Sequence, residues 1–191
     1  MKLLLGVDEA GRGPLAGPVM IGVVRVPEQF IVAREFPGLA DSKQLTPLAR
    51  ERLYRQMRRR MRAGDIHFAV RSTSAERIDR WGLSRAVLAA TARAVHALAP
   101  EPEGVLIYLD GLLKAPREYA QQTIIGGDET VPLIALASIA AKVTRDRLMT
   151  RFAKEFPEYG FDIHKGYGTK AHYAALKKYG PSLIHRQSFL A

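Results

Sequence analysis

Three apolar runs in this sequence end close to acidic residues, and this pattern constrains the fold more than any other feature. Residues 3–7 lead into Asp8 and Glu9, "VLIYLD" ends on Asp110, and "TIIGGD" ends on Asp128. Short runs rich in β-branched residues predict buried strands. Ligands of α/β proteins bind where strands end, so we expect these acids to converge at one edge of a sheet.

Strands and helices alternate along the rest of the chain. Strands are predicted at residues 3–7, 19–26, 65–74, 104–111 and 121–125, and helices at 47–64, 74–82, 83–100, 132–156 and 169–179. Thr46 before Pro47 is a typical helix start, and Gly64 a typical stop. The predicted fold class is α/β, with a mixed central β-sheet flanked by helices and a C-terminal helical segment. A length of 191 residues predicts a single domain over 1–191.

The charge balance favours a polyanionic partner. The chain has 29 Lys and Arg against 19 Asp and Glu, a formal net charge of +10. Such a field attracts nucleic acid, and a membrane surface is the competing interpretation. No apolar stretch approaches the roughly 20 residues of a bilayer span, so we expect no membrane association. The absence of cysteine excludes disulfides and thiolate chemistry and fits a cytoplasmic protein.

A cluster of acids has a defined chemistry. Carboxylates held close together cannot all stay ionised without compensation, so they share protons or bind a cation. Hard divalent cations such as magnesium prefer carboxylate oxygens, water and substrate phosphate. Two such ions about 4 Å apart can activate water and stabilise the leaving oxygen of a phosphodiester. The basic surface would then attract the polyanion that the acidic site cleaves.

Each acid also has a structural interpretation. Asp110 before Gly111 is a common turn pair, and Asp128 near a helix start is typical of an N-cap. Asp8 and Glu9 are harder to explain structurally, because adjacent strand side chains point to opposite faces and one would be buried without a partner. Only the combination of the acids favours a catalytic site.

Other catalytic motifs are absent from the sequence. "GRGPLAG" is rich in glycine, but no GK[ST] follows it, so it is poor support for an NTPase phosphate loop. Neither GxSxG nor HExxH occurs. His164 and His172 are eight residues apart, which is not the spacing of a helical ligand pair, so we interpret each as a substrate contact or structural residue before a metal ligand.

Phosphate ligands are predicted on the long helix. Ser138, Lys142 and Arg145 fall at i, i+4 and i+7 and therefore share one helical face. A hydroxyl and two cations on one stripe suit a phosphate backbone. Lys43 and Lys165 are further candidates, although a lone lysine is usually only solvated.

Several motifs occur in a specific order. They are "GVDEAGRGPLAGPV", "LADSKQL", "ERID", "YLDG", "GGDETVPLIALASIAAKVTRDR", "HKGYGTKAHY" and "HRQSF". In this order and spacing the chain closely resembles the ribonuclease HII family over nearly its whole length. Two departures are small: Gly82 stands where the family commonly has asparagine, and Leu136 where alanine is frequent.

The resemblance implies an RNase H-like fold and a metal-dependent endoribonuclease. The expected activity is hydrolysis of the RNA strand of RNA/DNA hybrids, and incision 5′ of single ribonucleotides embedded in duplex DNA, leaving 3′-hydroxyl and 5′-phosphate ends. This is the chemistry of ribonucleotide excision repair. The implied cofactor is magnesium or manganese (Mg²⁺ or Mn²⁺), and the expected protein is a monomer whose partners are hybrid and ribonucleotide-containing duplexes.

The resemblance also implies roles for single residues. The metal-binding and catalytic acids would be Asp8, Glu9, Asp110 and Asp128. The ribose 2′-hydroxyl, which distinguishes RNA from DNA, would be read by Gly11, Arg12 and Gly13. Tyr167 would stack on the deoxyribose that follows the ribonucleotide. Two competing hypotheses are a non-catalytic nucleic-acid-binding protein of this fold and a related nuclease with another substrate.

Overall fold

A mixed five-stranded sheet forms the centre of the protein within residues 2–39 and 45–190, which the computed structural model describes. The strands are β1 (Leu3–Ala10), β2 (Val19–Pro27), β3 (His67–Thr73), β4 (Val105–Asp110) and β5 (Ala120–Ile124). They lie in the order β3-β2-β1-β4-β5. The β1 strand pairs antiparallel with β2 and parallel with β4, which confirms the predicted mixed sheet.

Helices cover both faces of this sheet. They are α1 (Val32–Glu35), α2 (Pro47–Ala63), α3 (Ala75–Trp81), α4 (Leu83–Leu98), α5 (Gly127–Thr130), α6 (Pro132–Glu155), α7 (Phe161–His164) and α8 (Lys170–Tyr179), with 3₁₀ turns at Pro157–Tyr159 and Gln187–Phe189. None of these helices, in the part of the chain that the structure describes, has both the length and the apolar character of a membrane span.

Alternation along the strands divides the core into two layers. Val7, Ile21 and Leu109 are buried with the apolar side of α4 on one face. On the other face Val24 and Val26 are buried with α2 and α6. Since successive strand residues point to opposite faces, even-numbered positions of β1 and β4 face α6.

The long α6 helix lies directly against β1 and β2 because glycines occupy the contact. A Cβ atom at Gly6 would be 2.4 Å from the carbonyl oxygen of Leu133, and one at Gly22 would be 2.2 Å from that of Ala137. Any side chain at either position would push the helix away from the sheet. The contact brings the next helical residue, Ser138, close to the carboxyl end of β1.

Helix ends that the sequence predicted are confirmed. The Thr46 side chain accepts a hydrogen bond from the Ala49 backbone amide, and Gly64 ends α2 in the left-handed conformation with φ 83°. The Ser74 side chain caps α3 in the same way. The four-residue helices α1, α5 and α7 were not predicted, because four residues are too few to show helical periodicity.

The C-terminal segment packs over the end of α6 and the loop that follows β1. Its apolar cluster contains Ala16, Met149, Tyr159 and Phe161. Backbone hydrogen bonds join Leu15 to the segment at two places: its amide donates to the Gly166 carbonyl, and its carbonyl accepts from the Arg186 amide, each at 2.8 Å. The predicted C-terminal helical segment is therefore present and tied to the 11–18 loop.

Candidate active site

The register of the two central parallel strands brings two of the predicted acids together. Val7 in β1 pairs with Leu109 in β4, so the next residues, Asp8 and Asp110, are neighbours at the carboxyl ends. Both are even-numbered and face α6. On that side the hydroxyl of Ser138 hydrogen-bonds the Asp8 carboxylate. The convergence expected from the sequence is thus a direct result of strand register.

Asp8 is held in an environment that disfavours its charge. Its side chain is buried, with 5% of the residue exposed. The pKa of Asp8 is raised to about 8, chiefly by burial and also by the negative charges of Glu9 and Asp110, whereas hydrogen bonds from Ser138 and the Glu9 amide act in the opposite direction. The Glu9 amide donates to Asp8 Oδ1 at 2.7 Å.

Glu9 is only partly satisfied. Its Oε1 atom lies 3.6 Å from Nη1 of Arg12. Its Oε2 atom is buried and has no hydrogen-bond partner among the described residues. Burial raises the pKa of Glu9, the Arg12 charge lowers it, and the charge of Asp110 raises it again. A buried carboxylate oxygen without a donor indicates a position where a cation is favourable.

Asp110 connects β4 to the short α5 helix. Its Oδ1 atom accepts from the Gly127 amide at 2.7 Å and from the Asp128 amide at 3.3 Å. A Cβ at position 127 would lie 2.6 Å from Cδ1 of Ile134, so the end of the Ile134 side chain would have to move to admit one. Asp128 is half-buried in the first turn of α5, and the N-cap is Gly126 rather than Asp128.

The acids fit a hard divalent cation whose coordination is completed by other groups. Within residues 2–39 and 45–190, no three His, Asp or Glu side chains are arranged to enclose an ion by themselves. Mg²⁺ usually retains water and takes one or two carboxylates together with substrate phosphate. The unpartnered Glu9 oxygen and the raised pKa of Asp8 show an excess of buried negative charge that such an ion would offset.

Next to the acids, the 11–13 turn has a fixed conformation in which Gly11 is buried and residues 12 and 13 are exposed to solvent. Gly11 has φ 87°, and a Cβ there would lie 2.0 Å from Nε of Arg145. Arg12 is exposed, and a Cβ at Gly13 would meet open space, with no heavy atom of the described chain within 4 Å. Glycine is therefore needed at position 11 for the fold itself, whereas Gly13 leaves room for a ligand.

Arg186 donates hydrogen bonds to the carbonyl groups of this turn from the protein interior. Its guanidinium donates to the carbonyl oxygens of Gly11 at 2.6 Å, Arg12 at 2.9 Å and Gly17 at 3.0 Å. The side chain is fully buried. Burial lowers the pKa of Arg186 to about 10, helped by the charge of Arg145, so the group remains charged at neutral pH.

Arg145 requires a correction to the sequence interpretation. Predicted as a phosphate ligand, it is 1% exposed, and its guanidinium donates to the carbonyls of Ala16, Pro18 and Lys165, each at 3.0 Å. Ser138, Lys142 and Arg145 do lie on one face of α6, but the C-terminal segment and the 11–18 loop cover the Arg145 end of that face. Arg145 supports the loop from the interior and does not face solvent.

The other predicted phosphate ligands differ in what their side chains contact. Ser138 bonds Asp8, and half-buried Lys142 forms an ion pair with Asp146 at 2.9 Å. The Lys165 ammonium donates to the Thr150 hydroxyl at 3.2 Å and to a backbone carbonyl of α7. Lys43 lies outside the described residues.

Tyr167 is exposed beside the 11–18 loop. The residue is 44% accessible, and the Arg145 guanidinium carbon lies 6.0 Å from its ring centroid. The backbone amide of Tyr167 donates to the His164 carbonyl at 2.9 Å. An exposed aromatic ring with a fixed backbone is suited to stacking on a flat partner.

No role was predicted from the sequence for Arg186 and Asp79, two residues that support the 11–18 loop. Arg186 lies in "HRQSF" and Asp79 in "ERID", two motifs that were noted only as part of the resemblance. The Asp79 carboxylate accepts from the backbone amides of Gln187 at 2.9 Å and Ser188 at 3.0 Å, which fixes the turn next to Arg186. Their presence in the shared motifs was the available signal.

Comparisons with known proteins agree with this geometry. The family model described as Ribonuclease HII matches residues 5–191. A ribonuclease HII of Coxiella burnetii (strain Dugway 5J108-111) is 47% identical over 187 residues, which cover 98% of this chain and 88% of that protein.

Two solved structures share the fold. The ribonuclease H2 of Pyrococcus horikoshii OT3 superposes with a TM-score of 0.78 at 27% identity, covering 97% of this chain and 93% of that one. Bst-RNase HIII in complex with Mn²⁺ gives a TM-score of 0.70 at 19% identity, covering 98% and 67%. The sheet order, the acids at the ends of β1 and β4, and the match over residues 5–191 lead to one conclusion: the chain belongs to the ribonuclease HII family.

Proposed function

We propose that this protein hydrolyses the RNA strand of RNA/DNA hybrids and incises duplex DNA on the 5′ side of a single embedded ribonucleotide, leaving 3′-hydroxyl and 5′-phosphate ends. The observation that carries this proposal is the adjacency of two features. Asp8 and Asp110 are side by side at the carboxyl ends of β1 and β4, and three residues after Asp8 a glycine turn begins whose residues 12 and 13 are exposed to solvent.

Asp8, Glu9, Asp110 and Asp128 are the residues that would hold Mg²⁺ or Mn²⁺. Bound there in a two-ion arrangement, divalent ions supply activation of water and neutralisation of charge on the scissile phosphate. The Mn²⁺ complex of an RNase HIII with the same fold supports a divalent cofactor. The buried, unpartnered oxygen of Glu9 supports it from within this chain.

The remaining polar groups around the acids orient them. The Ser138 hydroxyl and the Glu9 amide fix the Asp8 carboxylate, and the amides of Gly127 and Asp128 fix one oxygen of Asp110. Each carboxylate keeps its remaining oxygen lone pairs for a ligand. Lys142, paired with Asp146 at the side of the site, would contact the phosphate backbone together with Lys165 and Lys43.

Discrimination of RNA from DNA is assigned to the 11–13 turn. The 2′-hydroxyl is both donor and acceptor, so backbone groups can recognise it without a side chain. Gly13 has open space around it, which permits the sugar to approach the main chain. The exposed Arg12 guanidinium next to Glu9 is placed to contact the adjacent phosphate.

Recognition of the RNA-to-DNA junction is assigned to Tyr167. Its exposed ring lies on the segment that hydrogen-bonds the 11–18 loop through Leu15 and Gly166. A ring at this place can stack on the deoxyribose that follows the ribonucleotide. The junction would then be recognised by two loops that are bonded to each other.

A cleavage assay tests the proposal. Three duplexes of one sequence are compared with Mg²⁺ and with Mn²⁺: an all-RNA/DNA hybrid, a DNA duplex with one ribonucleotide, and an all-DNA duplex. We expect the first two to be cleaved and the third to remain intact. Asp110→Asn should lower kcat/KM by about 1,000-fold, the effect of several kcal/mol of lost transition-state stabilisation.

Asp162→Asn is the matched control, since it replaces an exposed aspartate on α7 and should cleave at the parent rate. Salt-sensitive binding without cleavage by the parent protein would instead support a non-catalytic binder. Equal cleavage of the duplexes with and without the ribonucleotide would support a nuclease with another substrate.

A further inference from the structure

Three histidines far apart in the sequence form one stack in the C-terminal segment. The ring centroids of His164 and His172 are 4.4 Å apart, and those of His172 and His185 are 5.1 Å apart. His172 and His185 are buried, and Phe161 and Tyr159 pack against the stack. Buried imidazole groups need a complete set of hydrogen-bond partners.

Backbone contacts fix which nitrogen of each buried ring carries its proton. The Ser182 amide donates to Nδ1 of His185 at 2.9 Å, so this nitrogen has no proton. A neutral His185 must then carry its proton on Nε2. The Nε2 atoms of His185 and His172 are 2.9 Å apart, so His185 is the donor in this contact and His172 the acceptor.

The tautomer of His172 follows from that of His185. Because Nε2 of His172 accepts, its proton is on Nδ1, which lies 2.9 Å from the carbonyl oxygen of Tyr167. The result is a chain of hydrogen bonds with one direction, from the Ser182 amide through His185 and His172 to Tyr167. An additional proton on either ring would oppose two N–H groups, so the chain requires both rings to be neutral.

The surroundings favour the neutral form of both rings. Burial is the main cause that lowers the pKa of His185 to about 4, and the repulsion that a second proton would meet from His172 and His164 contributes to the same shift. Burial also lowers the pKa of His172.

The chain of hydrogen bonds ends at the backbone of the exposed Tyr167. The Tyr167 amide is held by the His164 carbonyl, its carbonyl is held by His172 Nδ1, and its ring lies over the Arg145 guanidinium. His164 is fixed in turn, because its Nδ1 accepts from the Gly166 amide. The amide of Tyr167 is therefore bonded to the backbone of His164, and its carbonyl to the ring of His172.

We propose that His172 and His185 are positioning residues for junction recognition: as a neutral pair with fixed tautomers, they hold the Tyr167 carbonyl and thereby set the orientation of its ring. This rests on the proposed function of Tyr167. Neither histidine touches the reacting atoms. Their contribution is the selection of the single-ribonucleotide junction over a continuous RNA strand, which has no deoxyribose at the next position.

The test compares His172→Phe, Tyr167→Ala and the double variant. Phenylalanine keeps an aromatic ring beside Phe161 and removes both nitrogens. We expect His172→Phe to lower kcat for the single-ribonucleotide duplex by about tenfold, the scale of a misplaced contact. KM should stay within about twofold, and kcat for the all-RNA hybrid should be nearly unchanged. Tyr167→Ala should give a similar ratio of the two activities, and the double variant no further loss.

Three outcomes overturn the proposal, and they are distinguishable. Equal losses on both substrates in His172→Phe would mean that the stack serves folding only. A changed ratio in Tyr167→Ala but not in His172→Phe would overturn the role of the histidines alone. An unchanged ratio in Tyr167→Ala would overturn the role of Tyr167 and this proposal with it.

A second measurement does not depend on how the variants fold. In ¹⁵N-resolved NMR spectra of the parent protein at pH 7, His172 should be protonated on Nδ1 only and His185 on Nε2 only. The opposite tautomer in either ring, or a doubly protonated ring, overturns the proposal.

Discussion

The two parts of the candidate site satisfy their polar groups in opposite ways. At the acidic edge, formed by Asp8, Glu9 and Asp110, like charges are buried together and one Glu9 oxygen has no partner within the described part of the chain. In the 11–18 loop, two buried arginines supply hydrogen bonds to the carbonyls of residues 11, 12, 16, 17 and 18.

The difference matches the two roles proposed above, catalysis at the acids and recognition in the 11–18 loop. Carboxylates whose charge is uncompensated are costly to the free protein, and a divalent ion lowers that cost by binding. A loop that must distinguish one hydroxyl group instead needs a fixed backbone, since a mobile one would adapt to both sugars. Stability is therefore expected to depend on the loop, and activity on the acidic edge.

The largest expected effect on stability is in the loop. Arg186→Ala removes the donor of three carbonyl groups, two of them in buried contacts, and so we expect the free energy of unfolding to fall by about 3–5 kcal/mol. Urea denaturation measures this value. Arg12→Ala, which removes an exposed guanidinium from the same turn, should change it by less than about 0.5 kcal/mol. Similar losses in the two variants would contradict the comparison.

The next effect concerns crowding at Gly11. Gly11→Ala combines a positive φ with a Cβ only 2.0 Å from Arg145 Nε, so we expect a loss of about 3 kcal/mol. Gly64→Ala is the matched control, because Gly64 has φ 83° and no described heavy atom lies within 4 Å of its Cβ position. It should lose only about 1–2 kcal/mol in the same denaturation experiment. Equal losses would show that the contact with Arg145 contributes nothing.

At the acidic edge, a substitution should raise the free energy of unfolding and not lower it. Asp8→Asn removes a buried charge and retains an oxygen that can accept from the Glu9 amide. With a chelator at pH 8, we expect the free energy of unfolding to rise by about 1 kcal/mol while cleavage is lost. Thermal denaturation and the cleavage assay are measured on the same sample. A clear decrease in melting temperature would mean that Asp8 stabilises the metal-free fold.

The smallest expected effect is a dependence of the free energy of unfolding on pH below neutrality. The pKa of His185 is lowered to about 4 and that of His172 is also lowered, whereas histidine in an unfolded chain titrates near 6.5. Between these values the unfolded chain binds more protons, so the free energy of unfolding falls as pH decreases from about 6.5 to about 4. The titratable side chains that contact the pair are His164 and Tyr159, and neither supplies a negative charge near neutral pH.

Denaturation over a pH series measures this dependence. His172→Phe should have a shallower slope than the parent protein in that window. The control is His96→Gln, which replaces a half-exposed histidine on α4 and should leave the slope nearly as it is. A slope that His172→Phe does not change would show that the buried pair is not the source.

The sequence predicted those parts of the site that depend on local order. Asp8 and Asp110 were found because each directly follows an apolar run in the sequence, and parallel pairing then places them together, although β1 itself continues to Ala10. The caps at Thr46 and Gly64 were found because they act within one helical turn. Local patterns of this kind are visible in a single sequence.

What could not be predicted depends on residues far apart in the chain. Arg145 was placed on the phosphate-binding stripe because helical spacing identifies a face but not what covers it. Arg186 is 175 positions from its partner Gly11, and no local pattern connects them. The histidine stack joins rings 8 and 13 positions apart that lie on separate segments, so periodicity gives no sign of it.

The link between Arg186 and the first loop has a consequence for how the protein is made. A ribosome synthesises both strands of the acidic edge and the whole of α6 before it reaches the residue that supports the 11–18 loop. The acids proposed for cleavage are therefore synthesised before the residue that supports the loop proposed to select the substrate. On these proposed roles, selectivity would be acquired later than catalysis, because the loop is supported only when Arg186 has left the ribosome and reached it.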